Sequence, residues 1–363
     1  MKAYMISSYP TEDCGISKYS KELMVGLKKA HVNVFPRRIF FYREKLSLFL
    51  WLRFFFEVLV MKPEVIHIQY TPTICGPVIP LFLILMRIFG GSRIIITAHE
   101  EPEAYLKYCH GIVGSFFLFY EKSIYKFSHQ VLVHTSLHRE ALQERYQLEG
   151  NKIKLIPHGV SKKSAYSWQV KKVKEKYNLE KKDIITFFGF LRPDKGVEYL
   201  ILSFSEIIKG RKDLILLIAG PTIKTWSKYP LRLKELVKSL KIDNYVKFTG
   251  FVPNNEVPAL FVVSKMIVMP YFHSTQSGVL HQAISYATPV IVSDVGGIGN
   301  FVKENDIGLI VPPKDSESLT KAILNLLDDK RKLEMFKRNE LKLREVLSWD
   351  NIARLHMEIY RSV

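Results

Sequence analysis

Short apolar runs rich in Val, Ile and Leu recur along the chain, and segments with helical periodicity alternate with many of them. In the first half the runs are Ala3–Ser7, Val65–Gln69, Arg93–Thr97, Gln130–His134 and Ile153–Pro157. In the second they are Ile184–Gly189, Leu214–Ala219, Val246–Thr249, Met266–Met269, Pro289–Ser293 and Leu309–Val311. The runs are continuous and do not alternate, so both faces of each strand are expected to be covered, as in parallel sheets flanked by helices. Two successive sets predict two doubly wound α/β domains. The boundary is expected after Val160, where the strand pattern gives way to the Lys-rich stretch Ser161–Lys182. In such sheets ligands sit outside the carboxyl ends of the strands. Two such domains facing across a cleft suit a ligand in two parts.

Composition narrows the class. At 47% hydrophobic and 24% charged residues the chain is globular and not disordered. A net charge of +18 favours anionic partners. Cys14, Cys75 and Cys109 form no CxxC pair and no disulfide framework, which fits a reducing, cytoplasmic compartment. The start, Met1–Pro10, lacks the apolar core of a signal peptide and reads as a first strand. No membrane span is expected: Leu46–Met61 is interrupted by Arg53 and Glu57, and Val78–Met86 by Pro80.

Three strand ends carry anion-binding chemistry. After the first strand comes Ser7–Ser17, with Gly15 and Ile16 before a helical pattern that begins near Lys18, and Ser17 as its expected cap. The second half opens with a strand followed by Gly189–Gly196, where Arg192 and Lys195 suit a diphosphate, one as a fork and the other as a point charge. The third stretch, Pro270–Gly278, sets Ser274, Thr275, Gln276, Ser277 and Gly278 before another helix. Gly297-Ile298-Gly299 is not a dinucleotide fingerprint, because Val302 stands at its third glycine position. No His/Cys/Asp cluster has metal-ligand spacing, so neither a structural zinc nor an obligatory metal is expected.

Together these stretches resemble the retaining glycosyltransferases of family four, which have the GT-B fold. The resemblance rests on Pro10-x-x-x-Cys14-Gly15-Ile16-Ser17, Val65–Tyr70, Ile96–Glu100, Ile156–Val160, Arg192–Gly196, Ala219–Pro221, Thr249–Pro253 and Pro289–Gly297, in family order. It implies an acceptor-side domain over 1–160, a nucleotide-sugar domain over 161–345, and a final helix over 346–363 packing back toward the first. It further implies that Gly15 and Ile16 face the donor diphosphate, that Arg192 and Lys195 bind it, and that His99 meets the donor sugar. Phe251 and Val252 would lie by the nucleobase, with Ser277 and Gly278 offering donors at a helix start. The implied reaction moves a hexose of mannose or glucose type from a nucleotide diphosphate sugar, such as GDP-mannose or UDP-glucose, to a glycan or lipid-linked acceptor with retention. No other cofactor and no nucleic-acid partner are implied. One departure stands out: family Glu positions fall on Ser274, Gln282 and Asn300. Gln282 retains hydrogen-bonding capacity toward ribose.

His99 ends a buried strand beside Glu100 and Glu101, and two carboxylates there are expected to raise its pKa and supply acid–base groups, with His99 and Glu100 as catalytic candidates. His67 reads as structural, while His134 and His158 also sit at strand ends and suit either a site or a structural role. The segments Arg37–Lys62 and Gly111–Phe127 mix Phe and Trp with Lys and Arg, which suits either an anionic membrane interface or helices packed on the first sheet. The competing reading is a non-catalytic nucleotide-sugar or nucleic-acid binding protein, favoured by the charge and the missing acids.

Overall fold

A computed structural model describes residues 1–7, 15–37, 47–71, 79–99, 111–274 and 277–362. The chain divides into two compact units, residues 1–159 with 347–363, and residues 160–346.

The first unit runs β1 (Lys2–Ile6), α1 (Gly15–Lys29), β2 (Asn33–Arg37), α2 (Ser47–Met61), β3 (Val65–Tyr70), α3 (Ile79–Leu85), β4 (Arg93–Ala98), α4 (Gly111–Phe127), β5 (Gln130–Val133), α5 (Ser136–Tyr146) and β6 (Ile153–Leu155). The second follows with α6 (Ser167–Tyr177), β7 (Asp183–Phe188), α7 (Val197–Gly210), β8 (Leu214–Ala219), α8 (Tyr229–Ser239), β9 (Val246–Gly250), α9 (Val257–Val263), β10 (Met266–Met269) and α10 (Gly278–Tyr286). It closes with β11 (Val290–Ser293), α11 (Gly296–Asn305), β12 (Gly308–Val311), α12 (Ser316–Asp328) and α13 (Lys330–Val346). A last helix, α14 (Trp349–Ser362), belongs to the first unit.

Among the described residues the first sheet is parallel with order β2-β1-β3-β4-β5-β6, and the second is parallel with order β12-β11-β10-β7-β8-β9. The expected α/β class with two doubly wound sheets is therefore present. The apolar runs are continuous because each strand feeds two cores. In β1, Tyr4 and Ile6 point into one core with Trp51, Phe54 and Val58 of α2. Ala3 and Met5 point into the other with Tyr19 and Leu23 of α1 and Ile352 of α14.

Strand β2 was not among the expected strands. Its sequence, Asn-Val-Phe-Pro-Arg, alternates and contains Pro36, which only an edge position accommodates. Helix α14 lies against α1 because Gly26 has no side chain: a Cβ there would sit 2.7 Å from the Trp349 carbonyl oxygen and 2.8 Å from Ala353 Cβ.

Candidate active site

Strand order locates the two places where ligands bind such sheets. In each sheet, neighbouring strands diverge to opposite sides at one point and leave a crevice beyond their carboxyl ends. In the second unit that point lies between β7 and β10, and in the first between β1 and β3.

In the second unit the two loops at this point are locked together. Gly196 sits at φ 61°, and a Cβ there would fall 2.0 Å from the Pro270 carbonyl oxygen. The Phe272 amide donates to the Asp194 carbonyl at 2.9 Å. Lys195 Nζ lies 3.8 Å from the centroid of the buried Tyr271 ring. Burial lowers the Lys195 pKa and the nearby Arg192 adds to this, against the opposing pull of Asp194. Arg192 donates from one terminal nitrogen to Asp194 at 2.7 Å, while its Nε is buried without a hydrogen-bond partner among the described residues. A buried donor left unpaired costs about 1–3 kcal/mol, so this guanidinium edge is suited to an acceptor that the protein does not itself supply.

Helix α10 starts beside this loop pair. Ser277 caps it, its hydroxyl accepting from the Leu280 amide at 3.3 Å. That hydroxyl is engaged in the cap, so the helix offers an anion its backbone N–H groups. A Cβ on Gly278 would meet nothing within 4 Å, so the helix start is open. One turn on, the Gln282 side-chain oxygen is buried without a partner among the described residues. Ser274 is buried, and Thr275 and Gln276 lie outside the described residues. After β9, Phe251 is 65% exposed and Val252 only 4%. Phe251 has a ring face to offer a base, and the Val252 side chain beside it is buried.

In the first unit α1 begins at Gly15, exposed, with Ile16 half-buried. Ser17 therefore lies inside the first turn and is not the helix cap, which corrects that expectation; the helix starts earlier than its apolar period because its first turn carries little of the buried face. His99 follows β4. Its Nε2 lies 2.7 Å from the Gln69 side-chain oxygen, and its amide donates to the Tyr70 carbonyl at 3.2 Å. Its ring meets Tyr19 at 5.1 Å and His134 at 5.2 Å. Tyr19 also packs against His134, His158 and Trp349 at 5.0, 5.1 and 5.1 Å. His134 and His158 each donate from Nδ1 to a backbone carbonyl, of Ile156 and Gly159 respectively.

The expected rise in the His99 pKa is corrected. Burial holds it well below the ordinary imidazole value, and His134 and His138 push it further down. The ring is neutral at physiological pH. Glu100 and Glu101 lie outside the described residues. Tyr19 and Trp349 were not read from the sequence as site residues, because nothing local links a helix-face tyrosine to a tryptophan so far along the chain.

Sequence comparison decides the family. Residues 15–163 match Glycosyltransferase Family 4, and residues 169–343 match Glycosyl transferases group 1. The chain belongs to glycosyltransferase family four. This family-four chain is 24% identical over 218 residues to an alpha-D-kanosaminyltransferase of Streptomyces kanamyceticus, covering 59% of this chain and 55% of that protein. It is 25% identical over 245 residues to a D-inositol 3-phosphate glycosyltransferase of Rhodococcus erythropolis, covering 66% and 55%. The matched stretch thus spans little more than half the length of these relatives. Its fold matches that of HepE from Anabaena, solved in complex with UDP, with TM-score 0.77 and 15% identity over 100% of both chains. It also matches sucrose-phosphate synthase from Thermosynechococcus elongatus, with TM-score 0.74 and 22% identity over 99% and 98%. The two parallel sheets of this family-four chain are those of the GT-B fold.

Proposed function

We propose that this chain transfers a hexosyl group from a nucleotide diphosphate sugar to a glycan or lipid-linked acceptor, with retention of configuration. The observation that carries the reading is the cationic loop pair of the second unit. There, Arg192, whose Nε has no partner among the described residues, Lys195 and the exposed start of α10 lie on and beside two interlocked loops. A diphosphate leaving group gains negative charge as the sugar becomes oxocarbenium-like, and fixed cations and helix N–H groups stabilise that charge. Gln282 has an acceptor with no partner among the described residues for a ribose hydroxyl, and Phe251 a ring face for a base. The diphosphate is read as the group that satisfies Arg192 Nε. Nucleotides such as those of GDP-mannose or UDP-glucose fit this chemistry; HepE, a structural neighbour, was solved with UDP-glucose.

His99 is read as a group that meets the donor sugar near its reacting face. A neutral imidazole suits hydrogen bonding to a sugar hydroxyl or to developing charge better than acid catalysis does. His99→Ala is expected to keep nucleotide affinity and lose turnover. Wild-type turnover in that variant would return His99 to packing.

A second observation favours a lipid-linked acceptor at an anionic membrane. Helix α2 splits into two faces: Trp51, Phe54 and Val58 are buried, while Phe49, Leu52, Phe56 and Val60 are exposed at 63%, 43%, 61% and 78%, with Arg53 among them. Core packing uses the first set and leaves the second exposed, Phe56 meeting only the edge of its neighbour Phe55 among the described aromatic rings. An apolar stripe with cations beside it is the chemistry of an interfacial helix. Among the described residues no helix is long and apolar enough to cross a membrane. The competing reading, a non-catalytic binder, predicts nucleotide-sugar binding without turnover.

A further inference from the structure

A chain of buried polar groups in the first unit ends on His99, and its chemistry fixes which ring nitrogen carries the proton. Gln69 on β3 is fully buried, and its amide lies between two very different neighbours. On one side the Met5 thioether sulfur is 3.2 Å from Gln69 Nε2. A thioether has no hydrogen to give and can only accept, so it faces the amide N–H₂ and not the carbonyl oxygen. That orients the side chain, a decision that oxygen and nitrogen positions alone leave open. The Gln69 oxygen then faces His99 Nε2 at 2.7 Å. An amide oxygen can only accept, so His99 Nε2 bears the hydrogen.

Behind Gln69 stands His67, also fully buried. The second Gln69 N–H points at His67 Nε2 at 3.3 Å, and the Thr97 hydroxyl lies 2.7 Å from the same nitrogen. An amide nitrogen only donates, so a hydrogen bond from Gln69 requires His67 Nε2 as acceptor, a nitrogen it shares with the nearer Thr97 hydroxyl. In that tautomer His67 Nδ1 carries the proton and donates to the Tyr360 hydroxyl of α14 at 2.6 Å. His67 reads from the sequence as a structural residue, and here it acquires a direction: with its acceptor side turned to Gln69, it holds the amide in the orientation that Met5 also demands.

We propose that Gln69, backed by Met5 and His67, is a positioning residue that holds His99 as its Nε2–H tautomer and leaves Nδ1 as the ring's single lone pair, the atom that accepts a hydrogen bond from a sugar hydroxyl. The proposal rests on the reading of His99 as the group that meets the donor sugar. Burial, which keeps the ring neutral, is consistent with it. Tautomer control matters because a neutral imidazole in the other form would present an N–H where an acceptor is needed.

The test joins a spectrum to kinetics. Long-range ¹⁵N–¹H correlation spectra of protein labelled at histidine nitrogens, with His99 assigned by its loss in His99→Gln, report the tautomer without any turnover. The expected result is an Nε2–H His99 in the wild type and a mixed or Nδ1–H ring in Gln69→Leu. Turnover of Gln69→Leu should fall about tenfold in kcat, the equivalent of one hydrogen bond, with donor KM within about twofold. An Nδ1–H ring in the wild type, or a wild-type tautomer in Gln69→Leu, overturns the proposal. If His99→Ala retains full turnover, the reading of His99 fails, and the proposed role for Gln69 in turnover falls with it. The spectrum still decides the tautomer on its own.

Discussion

Single residues carry the sharpest expectations. Removing either Arg192 or Lys195 as Ala should weaken nucleoside diphosphate binding by about 1.5–3 kcal/mol, the range for hydrogen bonds to charged groups, measured by titration calorimetry. Arg192 should show the larger loss, because Asp194 occupies only one side of its fork. Equal binding by the double variant would remove the diphosphate from this loop. A second expectation concerns Glu340 on α13, fully buried with neither carboxyl oxygen hydrogen-bonded among the described residues. Burial raises its pKa well above the ordinary 4.5. The folded state then holds this proton more tightly than the unfolded chain, so stability is lost as pH rises from about 4.5 toward the raised value. Glu340→Gln removes that loss. Its melting temperature should match the wild type near pH 4 and exceed it at pH 8, and an unchanged difference between the two pH values would contradict the assignment. Residue identity revealed part of this site and not the rest. Arg192, Lys195 and Gly196 were legible because strand ends and glycine carry their meaning locally. The direction of the His99 shift was not, since the carboxylates beside it in sequence are visible and the burial around it is a product of packing.

At the scale of elements, the parallel strands were legible because both of their faces are buried and the apolar runs are unbroken. Strand β2 was not, since an edge strand with Pro36 has only half that pattern. The aromatic helix α2 was legible as an alternative between core and membrane interface, and its residues divide by helical spacing into a buried and an exposed set. Replacing Phe49, Phe56 and Val60 by Ser should weaken sedimentation with anionic vesicles at low salt while leaving the melting temperature within about 2 °C, since exposed positions contribute little to stability. Binding should also fall as salt rises, because the attraction of the cations is screened over roughly 10 Å at 0.1 M. Pelleting that ignores both changes would move the contact elsewhere. The docking of α14 on the first unit depends on a glycine as well: a Cβ on Gly159 would fall 2.5 Å from the Trp349 ring. Gly159→Ala should cost about 1–3 kcal/mol of stability by overpacking, read from denaturant unfolding. No loss would mean that Trp349 has room to turn aside.

For the whole molecule, family-four membership and the GT-B fold follow from matches that span both units and from two six-stranded parallel sheets. Fold does not by itself deliver a reaction. Ser274, Gln282 and Asn300 stand where the resemblance places Glu, so the proposed activity is assigned to Arg192, Lys195, the start of α10 and His99. The direct measurement is proton NMR of the purified chain with UDP-glucose and GDP-mannose in turn, with and without a lipid-linked acceptor. The anomeric signal of the first sugar product is followed against nucleoside diphosphate release. The expected result is turnover of at least one donor with the donor's own anomeric configuration in the product, and its loss in the Arg192→Ala, Lys195→Ala double variant. Donor binding with no turnover of either nucleotide sugar would contradict the account and leave a nucleotide-sugar binding protein in its place.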